Sequence, residues 1–455
     1  MKFAKTVLAA SLAMVLAAQA QAAVSTQDAA KLGSNLTLVG AEKAGNADGS
    51  IPAYSGGLTT PPAGFKSGDS MRPDPFANEK PLLVIDGKNV DQYKNLLSAT
   101  TVELAKRFPT FRVDVYPTHR TVSLPQAVLD NGVKNATGAK SLEGGLAIDN
   151  VLPGVPFPIP QSGNEAMWNF LLRYQGVNIS SKYDSWNVDS AGVPTLATTG
   201  MAFNGFPIYE DLNKVIDAKD TYFQTKLYYS GPARRAGESL MLKDSANPLV
   251  QPRRAWQYLP GMRRVKLAPN LAYDTPIAAA DGLRTADDTD MINGSPDRYD
   301  WKLVGKKEIY IPYNSYKVTS PDVKYKDLLQ VGHLNPAFTR NELHRVWVVE
   351  GTLKSGARHI YSKRTLFLDE DSWQAAVVDQ YDGRGDLWRV SIAYLKNYYD
   401  LPTTWSALDS FHDLQARRYH VQNLDNEEPS TIDFSQAVPD DGYFKPAALR
   451  RRGTR

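Results

Sequence analysis

The stretch LWRVSIAYL, residues 387–395, alternates bulky apolar side chains with smaller or polar ones. A period of two is typical of a β-strand that buries one of its faces. The bulky face is formed by Trp388, Val390, Ile392 and Tyr394. Three neighbouring runs show the same β-branched and aromatic character: residues 345–353, 359–368 and 373–381.

The breaks between these four runs are typical of turns. They contain Ser355–Gly356, the acidic residues 369–371, and the glycine-rich residues 382–386. Strands at this spacing, separated by such turns, predict an antiparallel meander. A sheet with so large an apolar face must bury that face against a helix, another sheet or a ligand.

The first 22 residues predict a secretory signal peptide. Lys2 and Lys5 precede an apolar stretch over residues 7–18, and residues 20–22 form a small-x-small cleavage site. The apolar stretch is shorter than the roughly 20 residues that a membrane-spanning helix needs. We therefore expect an exported, periplasmic protein without a transmembrane segment in the mature chain.

Composition excludes several kinds of chemistry. The chain has 0 cysteines, so disulfides, thiolate catalysis and sulfur-based metal sites are excluded. Its 52 basic side chains are almost balanced by 49 acidic ones, and no basic helix indicates nucleic-acid binding. The arginines near the C-terminus, Arg450, Arg451, Arg452 and Arg455, are interpreted as a solvated tail, with contact to anionic headgroups as the alternative.

Periodicity and composition predict an α+β chain. Residues 23–81 are rich in Gly, Pro, Ser and Asn, which favours a long irregular N-terminal arm. Helices are predicted over residues 90–108, 165–174 and 405–419. Further strands are predicted over residues 222–230, 239–243, 255–259, 263–267 and 306–313.

These elements divide the chain into four regions. They are the signal peptide (1–22), an N-terminal arm and helical region packing on the sheet (23–215), a sheet-rich region (216–425), and a tail (426–455). No long linker separates the second region from the third, so residues 23–425 are expected to form one continuous unit.

Candidate catalytic and metal-binding patterns are weak. The six histidines show no metal-ligand spacing, and Asp287, Asp288 and Asp290 do not match an EF-hand loop. Residues 369–371 offer three consecutive carboxylates, and with Asp287 and Asp288 they are the candidates for an alternative function, an envelope glycan or lipid hydrolase. No metal site and no cofactor is predicted.

Several longer motifs resemble one known family. They are GAEKAGNADGSIP (40–52), VYPTHR (115–120), PFPIP (156–160) with Trp168–Asn169, YLPGMRRV (258–265), RYDWKLVGKKE (298–308), LHRVWVVE (343–350) and LDEDSW (368–373). Together they resemble the bacterial family described as domain of unknown function 1329, over residues 40–419.

The resemblance implies a fold similar to the LolA/LolB periplasmic lipoprotein carriers, in which a curved antiparallel sheet forms a half-barrel and helices cover an apolar cavity. It implies no agreed activity. It also implies partners, because family members are commonly linked to inner-membrane exporters of the resistance–nodulation–division type and to outer-membrane proteins. This chain departs from the carriers in its length before the sheet, and its N-terminal arm is an expected occupant of part of the cavity.

The resulting prediction is a periplasmic carrier or chaperone, not an enzyme, that shields a hydrophobic ligand such as a lipid. Tyr and Trp number 23 and 8, and an open groove tolerates such amphipathic rings better than a sealed core does. The predicted ligand-binding residues are Trp256, Tyr258, Val265, Trp301, Trp347, Val349, Trp388, Val390, Ile392 and Tyr394. A shift of one residue in register would move each side chain to the other face.

Two alternatives remain open from sequence. The aromatic rings can simply fill a core, and the protein can be a scaffold with an exposed apolar patch instead of a cavity. For the carrier, the proline-rich residues 151–160 and the predicted helix over 405–419 are the candidate lid or docking elements.

Overall fold

The chain forms one large β-sheet accompanied by a few helices, in a computed structural model that describes residues 24–66, 71–269, 271–430, 432–434, 437, 439 and 442–450. The strands are β1 (Leu83–Asp86), β2 (Arg112–Val115), β3 (Lys140–Leu142), β4 (Ala147–Asp149), β5 (Asn178–Val188), β6 (Pro194–Gly205), β7 (Thr221–Gly231), β8 (Ser239–Ser245), β9 (Arg254–Leu259), β10 (Arg264–Leu267), β11 (Tyr299–Pro312), β12 (Asn341–Leu353), β13 (Lys363–Asp369), β14 (Ala375–Tyr381), β15 (Leu387–Tyr398), β16 (Thr403–Asp413) and β17 (Arg418–Leu424). The α-helices are α1 (Thr26–Ala29), α2 (Val90–Tyr93), α3 (Ala99–Arg107), α4 (Gln126–Gly138), α5 (Gly163–Leu171) and α6 (Tyr325–Leu328).

The sheet has 15 strands, and the last described strand of the chain lies beside a much earlier one. Strands β11 to β17 follow one another across the sheet, β17 pairs with β5, and β5 to β10 continue to the far edge. These neighbours are antiparallel, and the sheet is mixed because Asn341 of β12 also pairs in parallel with Val115 of β2. The order ends at β1 and β10, so the sheet is not closed, and β3 and β4 pair separately.

The predicted meander is confirmed as β12 to β15. One row of directly paired residues runs across it, from Val349 to Leu366, Val378 and Ser391. The second strand begins at Lys363, later than the predicted residue 359, because His359 turns away to contact Asp287 at 3.0 Å. The predicted strands between residues 222 and 267 are also confirmed, as β7 to β10.

The predicted helix over residues 405–419 is wrong, since this region forms β16 and the start of β17. All 11 side chains of β16 are buried, so the alternation that marks a half-buried strand is absent. Leu408, Phe411 and Leu414 then mimic the spacing of a helix. Strands β5 and β6 were not predicted either, because their Ser, Thr, Asn and Gly residues are atypical of strands.

Two of the predicted helices are present with different bounds, and a further helix was not predicted. The helix predicted over residues 90–108 is interrupted, because Leu97 is extended and Ser98 caps α3 by accepting a hydrogen bond from the Thr101 amide at 3.1 Å. The helix predicted over residues 165–174 is α5, with Ser162 as its N-cap. Helix α4 was not predicted. The predicted signal peptide and the last three C-terminal arginines lie outside the described residues.

Both faces of the sheet are partly covered. Helix α5 contacts β11 and β12. On the opposite face, the carboxylate of Asp379 accepts hydrogen bonds from the Ala99 and Thr100 amides at the start of α3. Together with the loops, the two coverings bury one large hydrophobic core. None of the described helices is both long and apolar enough to cross a membrane.

Candidate functional site

A cavity of about 170 Å³ lies over one half of the sheet. Strands β5 to β8, β16 and β17 contribute to its wall, and residues 271–293, between β10 and β11, contribute to the other side. We call residues 271–293 the covering segment. The apolar part of the sheet-side wall comprises Ala202, Phe206, Phe223, Leu227, Leu240, Leu242 and Trp405. The covering segment adds Leu271, Ile277 and Ile292.

The register shows which face of the sheet the cavity occupies. Ala202 pairs with Leu227, and Leu227 pairs with Leu240, so these cavity-lining residues share one face. We call this the cavity face. The adjacent residues on the strands, such as Phe203 and Met241, point to the opposite face and pack with Phe444 and Leu449 near the C-terminus.

Hydrogen bonds and ion pairs hold the covering segment to the sheet. Asp287 accepts from Arg364 at 2.9 Å, and Asp288 accepts from the Tyr361 hydroxyl at 2.9 Å. Burial alone would raise the pKa of Asp287, but Arg364 and His359 hold it below its usual range. The acidic run that sequence offered as a catalytic candidate therefore anchors a loop.

Three arginines line the cavity, and two of them are in ion pairs. Arg253 binds Asp244 through two hydrogen bonds of 2.7 and 2.6 Å. Arg173 pairs with Asp290 at 2.7 Å and also donates to Gln374 at 2.5 Å. The positive charges of both guanidinium groups are therefore paired with carboxylates of the protein itself.

The third arginine, Arg284, lacks such a pairing. Its Nη1 donates to the Thr289 hydroxyl at 2.7 Å, and its guanidinium lies 5.4 Å from the Phe411 ring. Among the described residues no carboxylate lies within 4.0 Å of it, and its buried Nε has no hydrogen-bond partner. Burial lowers the pKa of Arg284, as expected for a cation held in an apolar wall.

Burial shifts the pKa values of two further side chains of the wall, Asp409 and His420. Burial, and then the neighbouring Asp290, raise the pKa of Asp409 to about 6. Its Oδ2 accepts from Gln422 at 3.0 Å, whereas its Oδ1 has no partner among the described residues. Burial, and then Arg284, lower the pKa of His420 well below its usual value, so this imidazole stays neutral.

The amino-acid sequence is similar to those of known proteins. The model of a family described as "Protein of unknown function (DUF1329)" matches residues 84–450. The chain belongs to this family. It is also 47% identical over 450 residues to the "Uncharacterized protein PA3922" of Pseudomonas aeruginosa, which covers 99% of this chain and 98% of that protein.

Two solved structures show distant similarity. A DUF1329 family protein from Desulfovibrio piger is 14% identical, with 60% of this chain and 92% of that chain covered and a TM-score of 0.40. A LolA superfamily protein from Nitrosomonas europaea is 11% identical, with 60% and 93% covered and a TM-score of 0.34. These likenesses are too distant for the properties of either protein to transfer to this chain.

None of the ten predicted ligand-binding residues of this DUF1329 protein lines the cavity. Trp301, Trp347 and Val349 lie on the cavity face at its other end, where Trp347 stacks on Trp373 at 5.9 Å. Trp301 lies beside α5, because its backbone approaches Gly163, and it lines a much smaller void of about 10 Å³.

Most of the other predicted residues lie on the opposite face. Trp256, Tyr258 and Val265 pack in the cluster that contains Phe444. Val390 and Ile392 pair with His412 and Ser410, and Tyr394 follows by alternation. Trp388, at the start of β15, is half-buried with its ring 5.8 Å from Tyr361. Whether any of the ten contacts a ligand stays a prediction.

The cavity residues were missed for two reasons. Thr225 and Leu227 are two residues apart in the predicted strand over 222–230, so sequence could place them on one face, but nothing marked that face as the wall of a cavity. By contrast, the polar β5 and β6 and the covering segment carry no pattern that places them beside β7. Aromatic content favoured other strands, whose rings are used for packing.

The carboxylates of residues 369–371 belong to a buried ion-pair network. Asp371 receives two hydrogen bonds from Arg120, at 2.8 and 2.7 Å. Glu370 pairs with Lys306 at 2.7 Å and with Arg345 at 3.0 Å. The network also holds the N-terminal region, since Glu370 accepts from the Glu42 amide at 3.1 Å. None of the three acidic residues lines either of the two cavities described above.

One group of this network has the composition of a metal site. His344, Asp369 and Asp371 each place a potential ligand atom within 4.8 Å of the others. Burial, and then Asp371, raise the pKa of Asp369 to about 6. Since Arg120 already occupies both oxygens of Asp371, a metal ion would have to displace a guanidinium. The geometry therefore fits an ion-pair network better than a metal centre.

Proposed function

We propose that this protein is a periplasmic carrier that holds a hydrophobic molecule, a lipid or similar amphiphile, in the cavity of about 170 Å³. The observation that supports the proposal is the apolar wall on the cavity face, of which Ala202, Leu227 and Leu240 are the central residues. Each methylene group buried there would contribute about 0.8 kcal/mol. Binding of this kind needs shape and apolar area but no catalytic groups.

The size of the cavity limits what fits without rearrangement. An apolar cavity of roughly 150 Å³ admits a benzene-sized molecule, whereas ligand pockets typically measure about 300–1,000 Å³. A ring or part of an acyl chain therefore fits the present volume. A longer chain requires the covering segment to move away from the sheet, which makes residues 271–293 the lid in this proposal.

The finer features predicted from sequence belong to the same proposal. The half-barrel shape, the covering helices and the N-terminal arm, and export through a cleaved signal peptide would suit a periplasmic carrier. An inner-membrane exporter and an outer-membrane protein would deliver or accept the ligand. The proposal also keeps the predicted region boundaries at residues 215 and 425. Strands β5 and β6 precede residue 215 but belong to the same sheet as the later strands, which favours one continuous unit over residues 23–425.

The geometry gives no support to the alternative hydrolase. A glycosidase needs two carboxylates about 5–10 Å apart at an accessible cleft. Asp369, Glu370 and Asp371 are instead fully or almost fully buried, and Asp287 is paired with Arg364. Carboxylates in such pairs fix loops and strands in place.

Filling the cavity tests the proposal. In the Ala202→Trp variant the indole would project into the cavity and compete with a ligand for the same space. We expect the affinity for the neutral apolar dye N-phenyl-1-naphthylamine to fall at least about tenfold relative to the unmodified protein. Fluorescence titration of the dye measures this change.

Met201 provides a matched control, because it precedes Ala202 on β6 and pairs with Tyr228 on the opposite face. The Met201→Trp variant is expected to bind the dye like the unmodified protein. Thermal unfolding of both variants verifies that they fold. Equal dye binding by both variants, or no binding by the unmodified protein, would contradict the carrier proposal.

A further inference from the structure

We propose that Arg284 is the receptor for an anionic head group, so that the ligand of this cavity is an amphiphile with one carboxylate or phosphate and an apolar chain. This inference rests on the proposed carrier function and specifies its ligand class. It starts from the contrast between Arg284 and the two ion-paired arginines of the same cavity, Arg173 and Arg253.

The chain shows how its arginines bind carboxylates. In the described part of the chain, four arginines use the edge formed by Nε and Nη2 to make two parallel hydrogen bonds with an aspartate. The pairs are Arg72 with Asp400, Arg112 with Asp114, Arg120 with Asp371, and Arg253 with Asp244. This bidentate geometry gives both strength and orientation.

In Arg284 the same edge has no partner among the described residues. Its one hydrogen bond to a side chain uses Nη1, which donates to Thr289 at 2.7 Å. The buried Nε lacks an acceptor, and leaving a buried donor of a charged group unsatisfied is costly. An anionic group in the cavity would supply acceptors to both Nε and Nη2.

The surrounding charges determine whether an anion is tolerated there. Asp288 and Asp409 act on Arg284 through space, but neither carboxylate lies within 4.0 Å of it among the described contacts. Asp290 is already paired with Arg173 at 2.7 Å. Asp409 accepts from Gln422 at 3.0 Å and from Asn423 at 3.3 Å, so its hydrogen-bond donors are residues other than Arg284. Among the described arginines of the cavity, Arg284 is thus the one without a carboxylate partner, and it is available to a ligand.

The apolar wall determines the rest of the ligand. Leu227, Leu240 and Leu242 offer no hydrogen-bonding side chains, and they line the same cavity as Arg284. A head group bound to Arg284 would therefore continue into a hydrocarbon chain or ring. A neutral lipid would leave Nε and Nη2 of Arg284 without the acceptors of an anionic group, and a wholly polar anion would leave the apolar wall without a partner.

Competition binding tests the inference. Laurate, dodecyl phosphate and 1-dodecanol share one chain length, and each is titrated against protein loaded with N-phenyl-1-naphthylamine. We expect at least one of the two anions to bind about tenfold more tightly than the alcohol. The Arg284→Met variant should lose this preference, so that the anions bind no more tightly than dodecanol. The anion with the higher affinity identifies the head group.

Two further variants keep the test interpretable. Arg284→Lys retains the charge without the planar edge, so it should retain only part of the preference. Arg234→Met removes an exposed arginine and should behave like the unmodified protein. If the anions bind no more tightly than dodecanol, or Arg284→Met weakens all three ligands equally, the inference is overturned and the carrier stands. If neither dye nor dodecanol binds, the carrier proposal itself fails.

Discussion

The Arg120→Met variant should lose about 3–5 kcal/mol of its free energy of unfolding, because one partner of a buried ion pair is removed. Both oxygens of Asp371 accept from Arg120, which is its only partner among the described residues. The side chains of both residues are 2% exposed, so water cannot replace the guanidinium. Urea unfolding followed by circular dichroism at pH 7.5 measures the loss.

A double variant separates the buried charge from the packing. Arg120→Met combined with Asp371→Leu removes both charges and should be clearly more stable than Arg120→Met alone. Arg384 provides the control, since its side chain is 75% exposed beside Asp382. Its replacement by Met should change stability little. A similar loss in the Arg120 and Arg384 variants would show that the network is not a buried support.

The Arg364→Met variant should lose about 3 kcal/mol of unfolding free energy and loosen the covering segment. Arg364 is fully buried on β13 and reaches Asp287 at 2.9 Å and Asp288 at 3.4 Å. The expected loss of unfolding free energy lies at the lower end of the range for such pairs, because the Thr285 hydroxyl still donates to Asp287 at 2.6 Å. Removing Arg364 leaves both acids without their guanidinium partner.

Hydrogen exchange distinguishes local from global effects of this variant. Amides within the covering segment, such as that of Asn293, which donates to the Asp287 carbonyl at 3.0 Å, should exchange faster. Amides of β12 to β14 should change less. The control is Lys363→Met, since Lys363 is the adjacent residue on β13 and its side chain is 38% exposed. Unchanged exchange in residues 271–293 of Arg364→Met would contradict the anchoring role.

The parts of the fold that sequence could predict are those with one apolar and one polar face. Strands β12 to β15 and β7 to β10 show alternation and clear turns, and the structure confirms them. Strand β16 was mistaken for a helix because both of its faces are buried. Strands β5 and β6 were missed because they are rich in Ser, Thr and Asn, and only their neighbours in the sheet explain their burial.

The candidate site was harder to predict than the fold. Large aromatic residues were chosen as ligand contacts, yet Tyr258 packs in a cluster with Phe444, and Trp347 stacks on Trp373. The property that distinguishes Arg284 from Arg173 and Arg253 is the lack of a carboxylate partner among the described residues, which depends on residues far away in sequence. Asp409, for example, follows it by more than a hundred residues but lines the same cavity.

Native mass spectrometry of the protein isolated from the envelope of its own cells tests the central claim most directly. We predict an added mass that corresponds to one amphiphile per chain, released on lipid extraction and absent from the Ala202→Trp variant. If the unmodified protein and the variant both show only the mass of the bare polypeptide, the claim that this cavity carries a hydrophobic ligand is contradicted.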